Sequence, residues 1–400
     1  MNSNPEKNPF VAIACGGTGG HLFPGLAVAG QLKQHGCDVA LLISPKDVDQ
    51  QAVKSAHGMD IFTLPAVGLQ NRNYFSFVNS FVKSLFAARK IFRQRKPSAV
   101  LAMGGFTSAP PVFVAKDMGV KTFLHESNTI PGRANRFLAR FVDEAFVGFP
   151  EAAARLKARK VTPTGTPVRP QFQIRDAAEC RVALGLNAGR PVILVVGGSQ
   201  GASGLNAMVL SALPLLARKN WQWLHLTGAN DFEKVKSAYA ALGVDAAVKP
   251  FLAEMDLALG AATAAVSRAG ASSLAEIAAM RLPSLLVPFP AAADNHQFFN
   301  ARIYAMSGAS RLLEQRHSTP EKVAAILVEL VEDSSVRAKI NAALGLWHAP
   351  KSAGQIASNI LRLSFNAVDA PVTEQGTTLL TRGQAGPAAA GAGPQKISAA

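Results

Sequence analysis

The sequence predicts an α/β fold of two parallel-sheet domains in tandem facing a common cleft, and three observations predict it. Apolar runs of strand length alternate with helix-period segments through both halves of the chain. A strand running straight into a glycine turn and then a helix occurs twice. The first is Phe10–Ala14 into Gly16-Gly17-Thr18-Gly19-Gly20-His21, and the second is Val192–Val196 into Gly197-Gly198-Ser199-Gln200-Gly201-Ala202. Between them lies Thr164-Gly165-Thr166-Pro167-Val168-Arg169-Pro170, dense enough in Pro and Gly to mark a domain boundary. At 400 residues the chain also exceeds one compact core.

In the first half, strands are expected at Val11–Ala14, Val39–Ile43, Ala99–Met103, Lys121–His125 and Glu144–Val147. Helices are expected at Gly25–Gln34, Val78–Arg95, Val112–Met118 and Arg133–Phe141. In the second half a helix at Leu205–Leu216 is followed by strands at Trp223–Leu226, Ala247–Pro250, Ala264–Ser267 and Ser284–Pro288. A helix near Gln355–Leu363 closes the ordered part. The expected division is an N-terminal domain over 8–168, a C-terminal domain over 169–345, a closing helix over 346–365 that packs back on the first domain, and a disordered tail over 366–400 rich in Ala, Gly, Pro, Thr and Gln.

Composition excludes several classes. Hydrophobic residues make up 48% and charged residues 17%, a globular rather than a disordered balance. Cys15, Cys37 and Cys180 show neither CxxC spacing nor a disulfide framework, which suits a reducing cytoplasm. The start MNSNPEKNPF lacks a basic segment leading into an apolar core, so no signal peptide is expected. The apolar stretch Pro97–Ala115 is broken by Gly104, Gly105, Pro110 and Pro111, so no membrane span is expected. Net charge is +15, of which residues 1–170 carry +11, and no acid occurs between Asp60 and Asp117. That asymmetry implies an anionic partner: nucleic acid, acidic lipid or a phosphorylated substrate.

Both glycine turns sit where a parallel sheet binds ligands, at the carboxyl end of a strand and the start of a helix, where backbone N–H groups can meet an anion. Either could equally be a plain strand-to-helix turn. His21 on the first turn titrates near neutrality and is a candidate base. The second turn adds Ser199 and Gln200, suited to a diphosphate. Neither is a P-loop, since GxxxxGK[ST] is absent. A nicotinamide site is disfavoured, because the first turn lacks the third glycine and the second strand ends at Ser44 rather than an acid. A third strand-turn-helix unit is Val266-Ser267-Arg268-Ala269-Gly270-Ala271-Ser272-Ser273-Leu274-Ala275-Glu276-Ile277. Ser273 and Glu276 have the spacing of a capping box, while Glu276 could instead accept both hydroxyls of a ribose. Asp294-Asn295-His296-Gln297 is a polar cluster on a loop-to-helix edge. Asp47-Val48-Asp49 has the DxD spacing of a metal site, but is expected to be exposed and away from both glycine turns.

Gly16–Pro24, His125-Glu126-Ser127-Asn128, GGSQGA, SRAGASSLAEIAA and DNHQ, in this order, resemble the MurG family, the undecaprenyl-diphospho-muramoylpentapeptide β-N-acetylglucosaminyltransferases of peptidoglycan synthesis. The resemblance spans residues 8–365. It implies a GT-B fold of two Rossmann-like domains, and inverting transfer of GlcNAc from UDP-GlcNAc to the muramoyl 4-hydroxyl of lipid I, giving lipid II, without a metal or other cofactor. It implies a catalytic group of His21, Glu126 and Asn128, with His21 as base and the other two lining the acceptor side. For the donor it implies Thr18, Gly19, Gly20, Asn128, Arg169, Ser199, Leu252 beside the uracil, and Ala271, Ser272, Ser273, Leu274 and Ala275. Glu276 would hold the ribose and Gln297 the sugar hydroxyls, with Asn206 in the second glycine unit. Three positions depart from the family pattern: Phe106 where tyrosine is frequent, Ser127 for glutamine, and Thr166 for asparagine. The rival readings are a UDP-GlcNAc 2-epimerase of the same fold and a non-catalytic lipid-binding scaffold of the wall-synthesis machinery.

Residues 70–96 carry seven basic and no acidic residues among apolar positions at near-helical spacing. Some of these apolar residues must face a core, and the excess beside a basic cluster suits interfacial binding. The expected membrane patch is Phe75, Phe81, Lys83, Leu85, Arg89, Lys90 and Arg93, docking on the anionic cytoplasmic face of the plasma membrane as a peripheral protein. Other wall-synthesis proteins are possible neighbours. Nucleic acid is the rival for this charge, and is set aside because no nucleic-acid motif is present.

Overall fold

The computed structural model describes residues 8–17, 19–46, 49–50, 58–66, 74–198 and 201–364. Thr18, Asp47, Val48, Ser199, Gln200 and the tail from residue 365 lie outside the described residues, and with them the expectations placed on them.

The first sheet is formed by β1 (Phe10–Ala14), β2 (Asp38–Ile43), β3 (Asp60–Thr63), β4 (Ala99–Ala102), β5 (Lys121–Glu126), β6 (Glu144–Val147) and β7 (Val161–Pro163), in the order β3-β2-β1-β4-β5-β6-β7. Every described pairing in it is parallel. The helices are α1 (Gly19–Gln34), α2 (Tyr74–Gln94), α3 (Ala109–Asp117) and α4 (Arg133–Leu138). Strand alternation sorts the core onto two faces. Val11 and Ile13 pack with Leu22, Leu26 and Leu32 of α1, whereas Ala12 and Ala14 pack with Phe92, Val112 and Leu138 on the other side.

The chain then enters a second parallel sheet, β8 (Val192–Val196), β9 (Gln222–Leu226), β10 (Ala246–Lys249), β11 (Ala264–Ser267), β12 (Ser284–Leu286) and β13 (Arg311–Leu312), in the order β10-β9-β8-β11-β12-β13. Its helices are α5 (Ala177–Ala183), α6 (Ser203–Leu216), α7 (Phe232–Ala241), α8 (Met255–Ala261), α9 (Ala271–Ala279), α10 (His296–Met306), α11 (Pro320–Glu332) and α12 (Ser334–Trp347). The last described helix, α13 (Ser352–Ser364), places Ala353, Ile356, Ala357 and Ile360 in the first domain's core beside α1. Two Rossmann-like sheets are therefore present, as the doubled strand-glycine-helix pattern requires. The linker is tied to the first domain, because the Gly165 carbonyl accepts from His125 Nε2 at 3.1 Å and from Ser352 Oγ at 2.9 Å.

Two local expectations change. The first helix begins at Gly19 rather than Gly25, so His21 is its third residue. The Ser273–Glu276 capping box does not form: α9 starts at Ala271 with Gly270 as its cap and no side-chain cap bond. Ser273 is the third helical residue, so its hydroxyl is past the capping position.

Candidate active site

On the first-domain side, the His21 ring lies against the turn that follows β4. A Cβ at Gly104 would come 2.8 Å from His21 Cε1, and Gly104 holds φ +109, so only glycine leaves that face open to the ring. Burial lowers the His21 pKa, while Glu126 and Asp49 pull it upward. The Met103 carbonyl also favours the protonated ring, yet buried Nδ1 has no hydrogen bond of ordinary geometry. A neutral imidazole keeps one ring nitrogen as a proton acceptor, the state a general base requires.

Glu126 ends β5 and is 2% exposed. Its Oε1 accepts from the Asn128 N–H at 2.8 Å and Asn128 Nδ2 at 3.0 Å, and its Oε2 from the Gly132 N–H at 2.9 Å and Asn135 Nδ2 at 2.8 Å. Four donors fill this carboxylate, so its geometry is that of a loop organiser rather than a second proton acceptor. The adjacent His125 is neutral, held down to about 4 by burial.

On the second-domain side, Arg169 stacks over Phe23 of α1, 4.1 Å from the ring centroid, and over Phe172 at 5.0 Å. Its guanidinium lies 3.6 Å from Glu276 Oε1. Burial pushes Glu276 up to about 7 in spite of that arginine. Ala271 and Leu274 are buried, so the start of α9 can offer a ligand little but its main-chain N–H groups there. Gln297 Oε1 accepts from the N–H groups of Ala269 at 3.2 Å and Phe289 at 3.0 Å, which leaves only its amide NH2 to donate. Leu252 is 8% exposed and packs in the core, so only its main chain could meet a base, while neighbouring Phe251 is exposed. Asn206 is also structural, bonded to His225, to the Thr227 carbonyl and to Asp231.

The two sides meet. Ser272 Oγ donates to the Gly20 carbonyl at 2.9 Å, which joins the start of α9 to the start of α1. The profile of the glycosyltransferase family 28 N-terminal domain matches residues 11–147, and that of the family 28 C-terminal domain matches residues 192–355. The chain belongs to glycosyltransferase family 28.

The chain is 38% identical over 352 residues to a "UDP-N-acetylglucosamine--N-acetylmuramyl-(pentapeptide) pyrophosphoryl-undecaprenol N-acetylglucosamine transferase" of an Anaeromyxobacter species, covering 86% of this chain and 91% of that one. A protein of the same name from Carboxydothermus hydrogenoformans is 36% identical over 330 residues, covering 80% and 89%. The crystal structure of Acinetobacter baumannii MurG superposes with a TM-score of 0.70 at 27% identity, covering 89% of this chain and all of that one. A solved UDP-N-acetylglucosamine 2-epimerase aligns at a TM-score of 0.64 over 89% and 96% of the two chains, but at 14% identity, a likeness of fold alone.

Asn300 bridges the two sides although no motif singled it out. Asn300 of α10 is fully buried. Its Oδ1 accepts from Thr129 N–H at 2.9 Å and Thr129 Oγ1 at 2.8 Å, while its Nδ2 donates to Asn128 Oδ1 at 3.1 Å and the Ala269 carbonyl at 3.2 Å. One amide thus ties the Glu126–Asn128 loop to the turn before α9. Its only signal was its spacing, three residues from Gln297 and so on one helix face. Asp294 reaches across in the same way to Arg136 at 2.6 Å and Arg133 at 3.5 Å.

Two further expectations are corrected. Asp49 is neither exposed nor remote: it is fully buried, and its Oδ2 accepts the Gly17 N–H at 2.6 Å. The first glycine turn therefore spends that N–H on an internal carboxylate rather than offering it to a ligand. In the membrane patch, Phe81 and Leu85 turn partly inward, Phe81 against Phe77 and Phe113, and Leu85 against the core. The large apolar residues exposed on α2 are Phe75, Val78, Val82 and Phe86, beside exposed Lys83, Arg89, Lys90 and Arg93, of which Arg89 is paired with Asp117 at 3.1 Å. Among the described residues, no helix is long and apolar enough to cross a membrane.

Proposed function

We propose that this protein transfers GlcNAc from UDP-GlcNAc to the 4-hydroxyl of the muramoyl sugar of lipid I, with inversion, and so produces lipid II. The observation that carries the reading is the meeting of the two helix starts at Gly20 and Ser272, with His21 on one side and the Arg169–Glu276 pair on the other. His21 Nε2 takes the proton of the acceptor hydroxyl as that oxygen attacks the anomeric carbon, and UDP departs from the opposite face. The α9 N-terminus favours the negative charge that accumulates on the departing diphosphate. Glu276 receives the ribose hydroxyls, Gln297 donates to the sugar, and Glu126 and Asn128 shape the acceptor wall.

The acceptor is lipid-linked, so we place the protein peripherally on the anionic cytoplasmic membrane face, through the outer strip of α2. There Phe86, Arg89, Lys90, Arg93 and Gln94 line a groove of about 420 Å³, large enough for a lipid headgroup. Incubation with UDP-GlcNAc and a soluble lipid I analogue tests the reading. Lipid II formation supports it, whereas UDP-ManNAc would mark an epimerase and absence of turnover a scaffold.

A further inference from the structure

The first glycine turn is held by the loop that carries the DxD spacing, through Asp49. Ser44 follows β2, and Asp49 lies five residues further on. Asp49 Oδ2 accepts three donors: the Gly17 N–H at 2.6 Å, the Ser44 N–H at 3.2 Å and Ser44 Oγ at 2.5 Å. The other polar group of Gly17, its carbonyl, accepts from Lys46 Nζ at 3.3 Å, and that ammonium lies over the Phe106 ring. The turn is also pressed onto the end of β2, since a Cβ at Gly16 would come 2.3 Å from the Ser44 nitrogen. Both ends of the Gly17 peptide are thus fixed by one loop, immediately ahead of the helix whose third residue is His21.

We propose that Asp49 is a positioning residue for the transfer reaction, locking the turn so that His21 stays against Gly104 and Gly105. The proposal rests on the assignment of His21 as base. Misplacing a reacting group by about 1 Å can cost on the order of 10²-fold in rate, and a turn freed from its carboxylate has that latitude. A second effect runs the same way. Asp49 Oδ1 is buried and has no hydrogen-bond partner among the described residues, and the carboxylate acts on His21 by raising its pKa. The titratable groups facing His21 are Asp49 from the segment after β2, Glu126 and His125 from β5, and His296 from α10. Removing the Asp49 charge lowers the His21 pKa further, which makes a weaker base and moves the acid limb of kcat to lower pH. A carboxylate that only stabilised the fold would move neither.

The test is a double-mutant cycle of Asp49→Asn and His21→Ala, with kcat, both KM values and the kcat–pH profile measured on UDP-GlcNAc and a soluble lipid I analogue. Asp49→Asn is expected to lower kcat about 10–100-fold with donor KM within about twofold, and to change kcat less than about threefold in the His21→Ala background. Equal losses in both backgrounds, or an unchanged kcat in the single variant, would overturn the role of Asp49 while leaving the base assignment standing. Wild-type turnover in His21→Ala would instead remove the base assignment, and with it the premise for Asp49. If Asp49→Asn does not fold, Ser44→Ala carries the same test: it strips one donor from Oδ2 and should lower kcat several-fold only where His21 is present.

Discussion

Glu276→Gln should make this protein more stable at pH 8 while weakening its hold on the donor, and the two effects have one origin. Glu276 is pushed from 4.5 to about 7 by burial, with Arg169 opposing the rise. The folded state therefore binds this proton more tightly than the unfolded chain does. The stabilisation is complete below pH 4.5, falls away as pH rises toward 7, and is absent above it. At about 1.4 kcal/mol per pH unit, the ionised carboxylate costs the empty protein about 3 kcal/mol at pH 8. Glutamine keeps the shape without the charge, so the variant should match wild type near pH 4.5 and exceed it at pH 8. At about 2–4 °C per kcal/mol for a domain of this size, the gain is several degrees. Bound donor reverses the sign, because two ribose hydroxyls donating to the carboxylate stabilise its charge. Their loss should raise donor KM about 10-fold or more, the scale of hydrogen bonds to a charged group. Melting curves from pH 4.5 to 9, with and without UDP-GlcNAc, separate the terms. A variant that melts lower than wild type at pH 8, or a difference that does not vary with pH, would refute the argument.

Other perturbations follow from the same geometry. Asn300→Ala removes four hydrogen bonds, three of which join the two halves of the site, at about 0.5–1.5 kcal/mol each, so it should raise both KM values and speed proteolysis at the linker. Unchanged cleavage and kinetics would reduce Asn300 to a core residue. Replacing Lys83, Arg89, Lys90 and Arg93 together with Gln removes three charges that form no ion pair among the described residues and one already spent on Asp117. At about 1 kcal/mol each, binding to anionic vesicles should fall on the order of 10²-fold, as co-sedimentation would report. Undiminished binding would move the membrane contact elsewhere.

The sheets were legible in the sequence because buried parallel strands read as unbroken apolar runs, as in Val192–Val196. Asp60–Thr63 was not, since it is a half-exposed edge strand with a charged first residue. The start of α1 was hidden by Gly19 and Gly20, whose low helix propensity is overridden by packing of Leu22 and Leu26. Within the site, His21 and Glu276 were legible because strand-turn-helix units announce where ligand chemistry sits. Asn300 was not, because its partner Thr129 lies 171 residues away in the chain, and the DxD spacing marked Asp49 for a metal rather than for the Gly17 N–H 32 residues away, which no local pattern encodes. The capping-box spacing misled for the opposite reason: its three-residue interval was present, but Gly270 set the phase of the helix.

If His21, held on the glycines of the first domain and facing the donor side of the second, takes the proton of the acceptor hydroxyl, its loss must show in turnover. This is read most directly in kcat of His21→Ala with UDP-GlcNAc and a soluble lipid I analogue, under saturating conditions. A fall of about 10²–10⁴-fold is the contribution of a positioned base, with donor KM nearly unchanged because the uridine and ribose contacts lie on other elements. Turnover within about threefold of wild type would remove His21 from that role.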